Sequence, residues 1–215
     1  MSFASGLIAP ELTAEFPGLR LHWTELEARV GASPRDVRRR LRELSDRVAG
    51  AGVVAMRTQP IPHAYRAFYR QVGLDPDAAR IPGEEVAVRR LLQGGFGSRG
   101  TLQDALLIGL VETGVPVWAL DARRVDVHSL GIRAAHSGER LGGGADGFSL
   151  PAGQLVVADA ACVHATLFGD PAPGHAPAPG PGMQRIVLYA VAVEGVPAIH
   201  VEEALWICTD VLGVG

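Results

Sequence analysis

Cys162 and His164 stand two residues apart in the run CVHATLF, bounded by Asp159 before and Gly169 after. On a β-strand, positions i and i+2 share a face, so thiol and imidazole would lie side by side. That pairing is the start of a nucleophilic dyad, yet a dyad needs a third group to orient its imidazole, and the sequence identifies none. The same pair reads more readily as two neighbours on a core strand, where a free cysteine packs as a small hydrophobe. Metal chemistry has no spacing signature. His128 and His136 flank a turn, and neither a His-Glu-x-x-His run nor a cysteine cluster occurs, so no metal site is expected. No Gly-x-Ser-x-Gly elbow is present. The glycine runs GGFG (94–97) and GGG (142–144) lack the lysine or glycine spacing of phosphate- and dinucleotide-binding loops, and read as turns. No cofactor is expected.

Arginine is the other chemically rich residue. All 20 Lys+Arg positions are arginine, which excludes a Schiff-base lysine. Arg35 and Arg38 sit with Arg39, Arg40 and Arg42 on a segment whose apolar stripe is Val37, Leu41, Leu44 and Val48. Guanidinium groups bind phosphate bidentately, so this face suits a nucleic-acid backbone. It also suits a solvated helix face, since Asp36, Glu43 and Asp46 dilute the charge. A formal net charge of −3 argues against wholesale electrostatic binding to nucleic acid and leaves only a local patch.

These residues need elements to hold them. Thr24 with Glu27, and Ser33 with Asp36, resemble helix-capping boxes, which predicts a helical extension over residues 1–58. Tyr65, Phe68, Tyr69 and Val72 recur at helical spacing, Gly73 ends that helix, Asp75-Pro76 turns the chain, and a second helix opens at Pro82 and ends before Gly94. Thr101-x-x-Asp104 starts a third, running to Gly114. Short β-type runs follow over 117–120, 125–127, 131–134, 154–158, 162–168 and 185–193. The segment 171–182 is too rich in Pro and Gly for regular structure and predicts a surface loop. A helix over 201–212 closes the chain. Helices, then strands, then a helix predict an α+β fold.

The segments also match a family in order. The Tyr-Arg pairs at 65–66 and 69–70 precede Gly73-Leu74-Asp75-Pro76, and Arg80-x-Pro82 begins a helix ending in Arg89-Arg90. Asp104-Ala105, Gly114-x-Pro116 and Asp121 come next, then Arg133-x-Ala135 with Gly138-Glu139, and Leu155 to Asp159. Over roughly residues 60–212 this resembles the freestanding B3/B4 domain proteins, which are similar to the tRNA-binding and editing domain of the phenylalanyl-tRNA synthetase beta chain. The resemblance implies a three-layer α+β domain with mixed β-sheet over 59–215.

The resemblance also implies an aminoacyl-tRNA-binding protein that hydrolyses mischarged tRNA in trans, or a non-catalytic RNA- or metabolite-binding module on the same fold. Its implied pocket comprises Gly114, Pro116, Trp118, Asp121, Glu139 and Asp170. Its implied RNA contacts are Arg80, Arg89 and Arg90, to which the arginine-rich segment adds Arg35 and Arg38. Trp118 stands where the synthetases carry histidine, Leu107 where they carry asparagine, and Asp170 is the counterpart of an acidic residue. Trp118 would stack on a base or belong to the core, and Arg133 would pair with Glu139. No side chain is singled out as catalytic, because ester hydrolysis needs only a placed water, the neighbouring ribose hydroxyl and an oxyanion donor. The expected partner is tRNA, with neither DNA nor membrane. Two distant cysteines, no secretion signal and no long apolar run suggest the cytoplasm.

Overall fold

The first long segment of regular structure is a strand, Arg20–Val30, which carries 11 residues. From Thr24 its buried positions alternate through Leu26, Ala28 and Val30, the period of a strand with one covered face. The computed structural model describes residues 3–48, 59–145 and 147–213. In chain order the elements are β1 (Ala4–Ser5), β2 (Leu7–Ile8), α1 (Pro10–Glu15), β3 (Arg20–Val30), α2 (Arg35–Arg47), α3 (Pro60–Gln71), α4 (Pro82–Gln93) and α5 (Thr101–Thr113). Then come β4 (Val117–Asp121), a short 3-10 turn (Ala122–Arg124), β5 (Gly131–Ala134), β6 (Leu155–Ala158), β7 (Val163–Thr166), β8 (Gly182–Ala192) and α6 (Ala198–Val211). The fold is α+β.

Two four-stranded sheets form the framework. The first has order β1-β3-β8-β4 and is antiparallel throughout; the second, β2-β5-β6-β7, has β2 parallel to β5. Strand β8 is wholly buried from Ile186 to Ala192, as a strand covered on both faces must be. Helix α6 lies against β3 and β8, and α5 lies against α6. Gly109 makes that helix pair close: a Cβ there would sit 2.9 Å from Cys208 Sγ. The main core runs from Leu12 through Tyr65, Leu102 and Leu188 to Leu212 and takes in Ile132, Val157 and Ala165 of the second sheet, with smaller clusters around Leu41 and around Val156.

The helical hairpin forms as expected. Gly73 and Gly94 follow α3 and α4 in the left-handed region, at φ 78° and 74°. Asp75 Oδ1 accepts from the Asp77 amide in the turn between them. Inside the hairpin Arg66 is paired with Asp77 at 2.7 Å and with Glu84 at 2.9 Å, the latter between two buried side chains.

Several expectations are corrected. Thr24 and Glu27 lie in mid-strand, because alternation over eleven residues and pairing with β8 outweigh a local capping pattern. Ser33 does not cap α2, whose N-cap is Pro34; its hydroxyl donates to Asp104 Oδ2 at 2.5 Å. Residues 1–58 are therefore not a helical extension in their described part: β3 pairs with β8 from Arg20 to Val30 and shares the main core, so no packing boundary falls at 58. The run 125–127 is not a strand but irregular chain leading into a turn at 127–129, with Asp126 accepting from the His128 amide. Among the described residues no helix is long and apolar enough to cross a membrane.

Candidate functional site

The edge strand β4 carries Trp118, whose ring stacks on Tyr189, its cross-strand partner, at 5.5 Å and 17°. Trp118 is 8% exposed and presents only an edge to a cleft of about 270 Å³. Facing it across that cleft are Val86, Arg89 and Arg90 of α4, Leu106 and Leu107 of α5, and Arg99 of the loop between them; Pro116 and Asp170 complete the rim. The cleft lies between α4, α5 and β4. Asp104, 1% exposed, accepts from Ser33 Oγ, Ser98 Oγ and the Arg99 amide, which fixes the 98–100 loop against the start of α5. Phe168 fixes the opposite rim. It adopts φ 64°, a conformation that disfavours side chains, and its ring packs among Tyr65, Phe68, Tyr69 and Trp118. The aromatic cage holds this strained residue in place, and with it the neighbouring Asp170.

The cleft is apolar in its walls and charged at its mouth. Asp170 is exposed. Arg89 is paired with Glu85 at 2.6 Å, and Arg90 donates through Nε and Nη2 to the Ser45 carbonyl at 2.9 and 2.6 Å, which leaves its other N–H groups available. Arg99 and Gln103 also line a neighbouring cavity of about 780 Å³ whose wall includes Arg38, so the arginines continue from one hollow into the next.

A second assembly lies where β6 turns into β7. Asp159 Oδ1 accepts from the amides of Ala161 and Cys162, and Oδ2 accepts from the Asp126 amide. Burial alone would raise this carboxyl, but those backbone donors and the approach of His164 hold it below the usual carboxylate range. His164 is 0% exposed and points its two ring nitrogens in opposite directions. Nε2 comes within 2.9 Å of Asp159 Oδ2, off the line of an aligned hydrogen bond, and has no other partner among the described residues. Nδ1 lies 2.9 Å from His175 Nδ1 and 4.0 Å from Cys162 Sγ. Burial raises the Cys162 thiol, and Asp159 adds to this. Burial lowers the His175 imidazole, with His164 adding to it, which keeps the ring neutral. A raised thiol with a long contact to histidine is a poor nucleophilic dyad.

The residues expected in one pocket are thus divided. Pro116, Trp118 and Asp170 meet in the cleft, joined by Arg89 and Arg90, while Leu107 lines it as well. Asp121 does not. An odd step from Trp118 along β4 puts it on the opposite face, where Arg123 binds its carboxylate at 2.7 Å and holds it below the normal range. Glu139 lies in the loop after β5 and pairs with Arg133 at 2.5 and 2.8 Å; that guanidinium holds its carboxyl down at about 2. Gly114, in the left-handed region at φ 77°, ends α5 against Ile61 and lines a different hollow. Arg38 lines the adjoining cavity, whereas Arg35 and Arg80 are exposed outside it.

Sequence reasoning missed Asp159 and His175 as partners of the Cys162–His164 pair. Asp159 is within the span of a single turn from Cys162, a signal open to reading. His175 is not: it lies in a Pro/Gly-rich segment, and only folding returns it to β7, where Ala172 donates to the His164 carbonyl at 2.7 Å. The 171–182 segment is irregular as expected up to Pro181, where β8 begins at Gly182, but it is anchored by buried Ala172 and His175. Comparison with known proteins finds no family model and no curated protein that matches the chain.

Proposed function

We propose that the cleft beside Trp118 receives the aminoacylated 3′ end of a tRNA. The reading is supported above all by one convergence: an apolar slot, a single exposed carboxylate and a row of arginines meet although they come from four separate segments. An aminoacyl ester offers matching chemistry. Its side chain would enter between Val86, Leu107 and the Trp118 edge, its α-ammonium would face Asp170, and the terminal phosphates would face Arg89, Arg90 and Arg99. Phosphates further along the strand would continue toward Arg38. The order of motifs shared with the B3/B4 proteins supports the same placement.

Recognition comes before hydrolysis in this reading, for a specific reason. Among the described residues no His, Cys or Ser lines the cleft, and Asp104 already accepts from three donors. Ester cleavage would therefore depend on Asp170, a held water and the substrate's own ribose hydroxyl. A non-catalytic binding module is the second reading, and the same lack of an imidazole or thiol favours it.

The test compares an aminoacylated minihelix with its bare counterpart over a salt series. Tighter binding of the charged form, lost in Asp170→Asn, and an affinity that falls with salt are expected. Equal binding of charged and bare RNA would refute the pocket assignment. Release of amino acid above the spontaneous rate separates the enzyme from the binder.

A further inference from the structure

We propose that Cys162, His164 and His175 form a zinc-binding site, with Asp159 orienting His164 from behind. The inference is independent of the Trp118 cleft. One candidate ligand atom from each residue lies within 4.8 Å of the other two. Zinc bonds of about 2.0–2.1 Å to nitrogen and about 2.3 Å to sulfur place tetrahedral ligand atoms roughly 3.3–3.6 Å apart. The observed 2.9 Å between the two Nδ1 atoms and 4.0 Å from Cys162 Sγ to His164 Nδ1 straddle that range. Movements of about 1 Å or less per side chain would complete the set.

The outer edges of both imidazoles make the case. Asp159 faces Nε2 of His164, and the Nε2 edge of His175 packs against Gly142. A proton on each Nε2 leaves both Nδ1 lone pairs pointing at each other across 2.9 Å. Two facing lone pairs repel unless a proton or a cation lies between them, and histidine backed by a carboxylate is a common zinc arrangement. Charge also balances: one thiolate and one buried carboxylate would neutralise a divalent ion in a site where an isolated charge is costly. A thiolate with two imidazoles selects zinc over magnesium or calcium, which prefer oxygen.

The glycine run completes the enclosure. A Cβ at Gly143 would meet Cys162 Cβ at 2.9 Å, and Gly142 donates to the Val163 carbonyl at 2.8 Å, so the bare backbone closes over the ligands. Cys162 stays half-exposed, which leaves an approach for the ion and a fourth position for water. Binding would tie His175 to β7 and so stiffen the segment between them, which carries Phe168 and Asp170.

The experiment uses the full chain, stripped with a chelator and titrated with zinc against a chromophoric competitor. One equivalent is expected, bound more tightly than ~1 µM. Cobalt in place of zinc should give a thiolate-to-cobalt charge-transfer band with tetrahedral visible absorption. Cys162→Ser should remove that band, and His175→Gln should weaken zinc binding at least tenfold. Asp159→Asn should weaken it by ~10–100-fold, the usual loss when a carboxylate behind a ligating histidine is removed. Circular dichroism checks that each variant folds; should one not fold, the wild-type stoichiometry and cobalt spectrum decide. The absence of stoichiometric binding, a cobalt spectrum without the thiolate band, or folded Cys162→Ser and His175→Gln variants that bind like wild type would each overturn the proposal.

Discussion

The Trp118 cleft and the Asp159–His175 corner solve the same problem, presenting polar groups from a small apolar core, in opposite ways. In the cleft the aromatic wall is rigid and the charged groups stand at the mouth, where water reaches Asp170 and Arg99. At the corner the polar groups face inward, and His164 has no exposure. A recognition surface needs the first arrangement, because its partner must displace water from the charges. A coordination site needs the second, because buried lone pairs are strong ligands and buried unpaired groups are costly. The difference teaches that burial distinguishes the two chemistries better than residue type does.

The largest effect expected on the cleft comes from beneath it. Glu84→Ala would leave the buried Arg66 guanidinium with Asp77 and the Pro76 carbonyl, and removal of one partner of a buried ion pair costs about 3–5 kcal/mol. Urea unfolding should show that loss, and ligand binding by the folded fraction should fall as α4 loosens. Intact stability would mean that α4 is held in some other way.

Trp118→Ala comes next. It removes the cross-strand stack on Tyr189 and the contact with Phe168, at an expected cost of about 3–5 kcal/mol in stability. Trp118→Phe should keep most of the stability. If Trp118→Ala folds as firmly as wild type but binds RNA less well, the ring is a recognition surface and not a wall, and the contrast drawn above breaks down.

Acid offers a smaller probe on the side of the second sheet. Glu139 titrates at about 2 in the folded protein, pulled down by Arg133. A carboxylate depressed on folding contributes stability above its unfolded value of 4.5, and the contribution fades as pH falls from there toward 2. Because the pair is partly exposed, its worth is about 1 kcal/mol. Glu139→Gln should therefore cost about that much at neutral pH and almost nothing near pH 2, read from denaturant midpoints.

The smallest expected effect on stability sharpens the comparison most. Asp170→Asn should change folding by less than about 0.5 kcal/mol, since the side chain is exposed. It should still abolish the preference for aminoacylated over bare RNA. A large stability loss would place Asp170 in the framework.

How much was legible depended on the range of the interactions involved. The α3–α4 hairpin was readable because its signals are local: apolar spacing, Gly73, Asp75-Pro76 and Pro82. The pairing of Arg133 with Glu139 was readable for the same reason, being six residues apart on the chain. Strand β3 was misread because its capping-like residues are local, whereas its partner β8 lies some 160 positions away, as the Glu25–Arg185 ion pair illustrates. The pocket was half readable. Trp118 and Asp170 converge, but Asp121 falls on the far face of β4 through the two-residue period of a strand, which the motif Gly-x-Pro-x-x-x-x-Asp does not reveal.

From the sequence alone came the α+β class, the helix ends at Gly73, Gly94 and Gly114, the irregular 171–182 segment and the adjacency of Cys162 and His164. Each rests on backbone preferences that act within a turn or two. Tertiary structure alone decided that β3 and β8 form the centre, that Arg99 and Asp170 share a mouth, and that His175 returns to face His164. Those outcomes depend on which apolar faces bury one another, and burial is settled by the whole chain at once rather than by any segment of it.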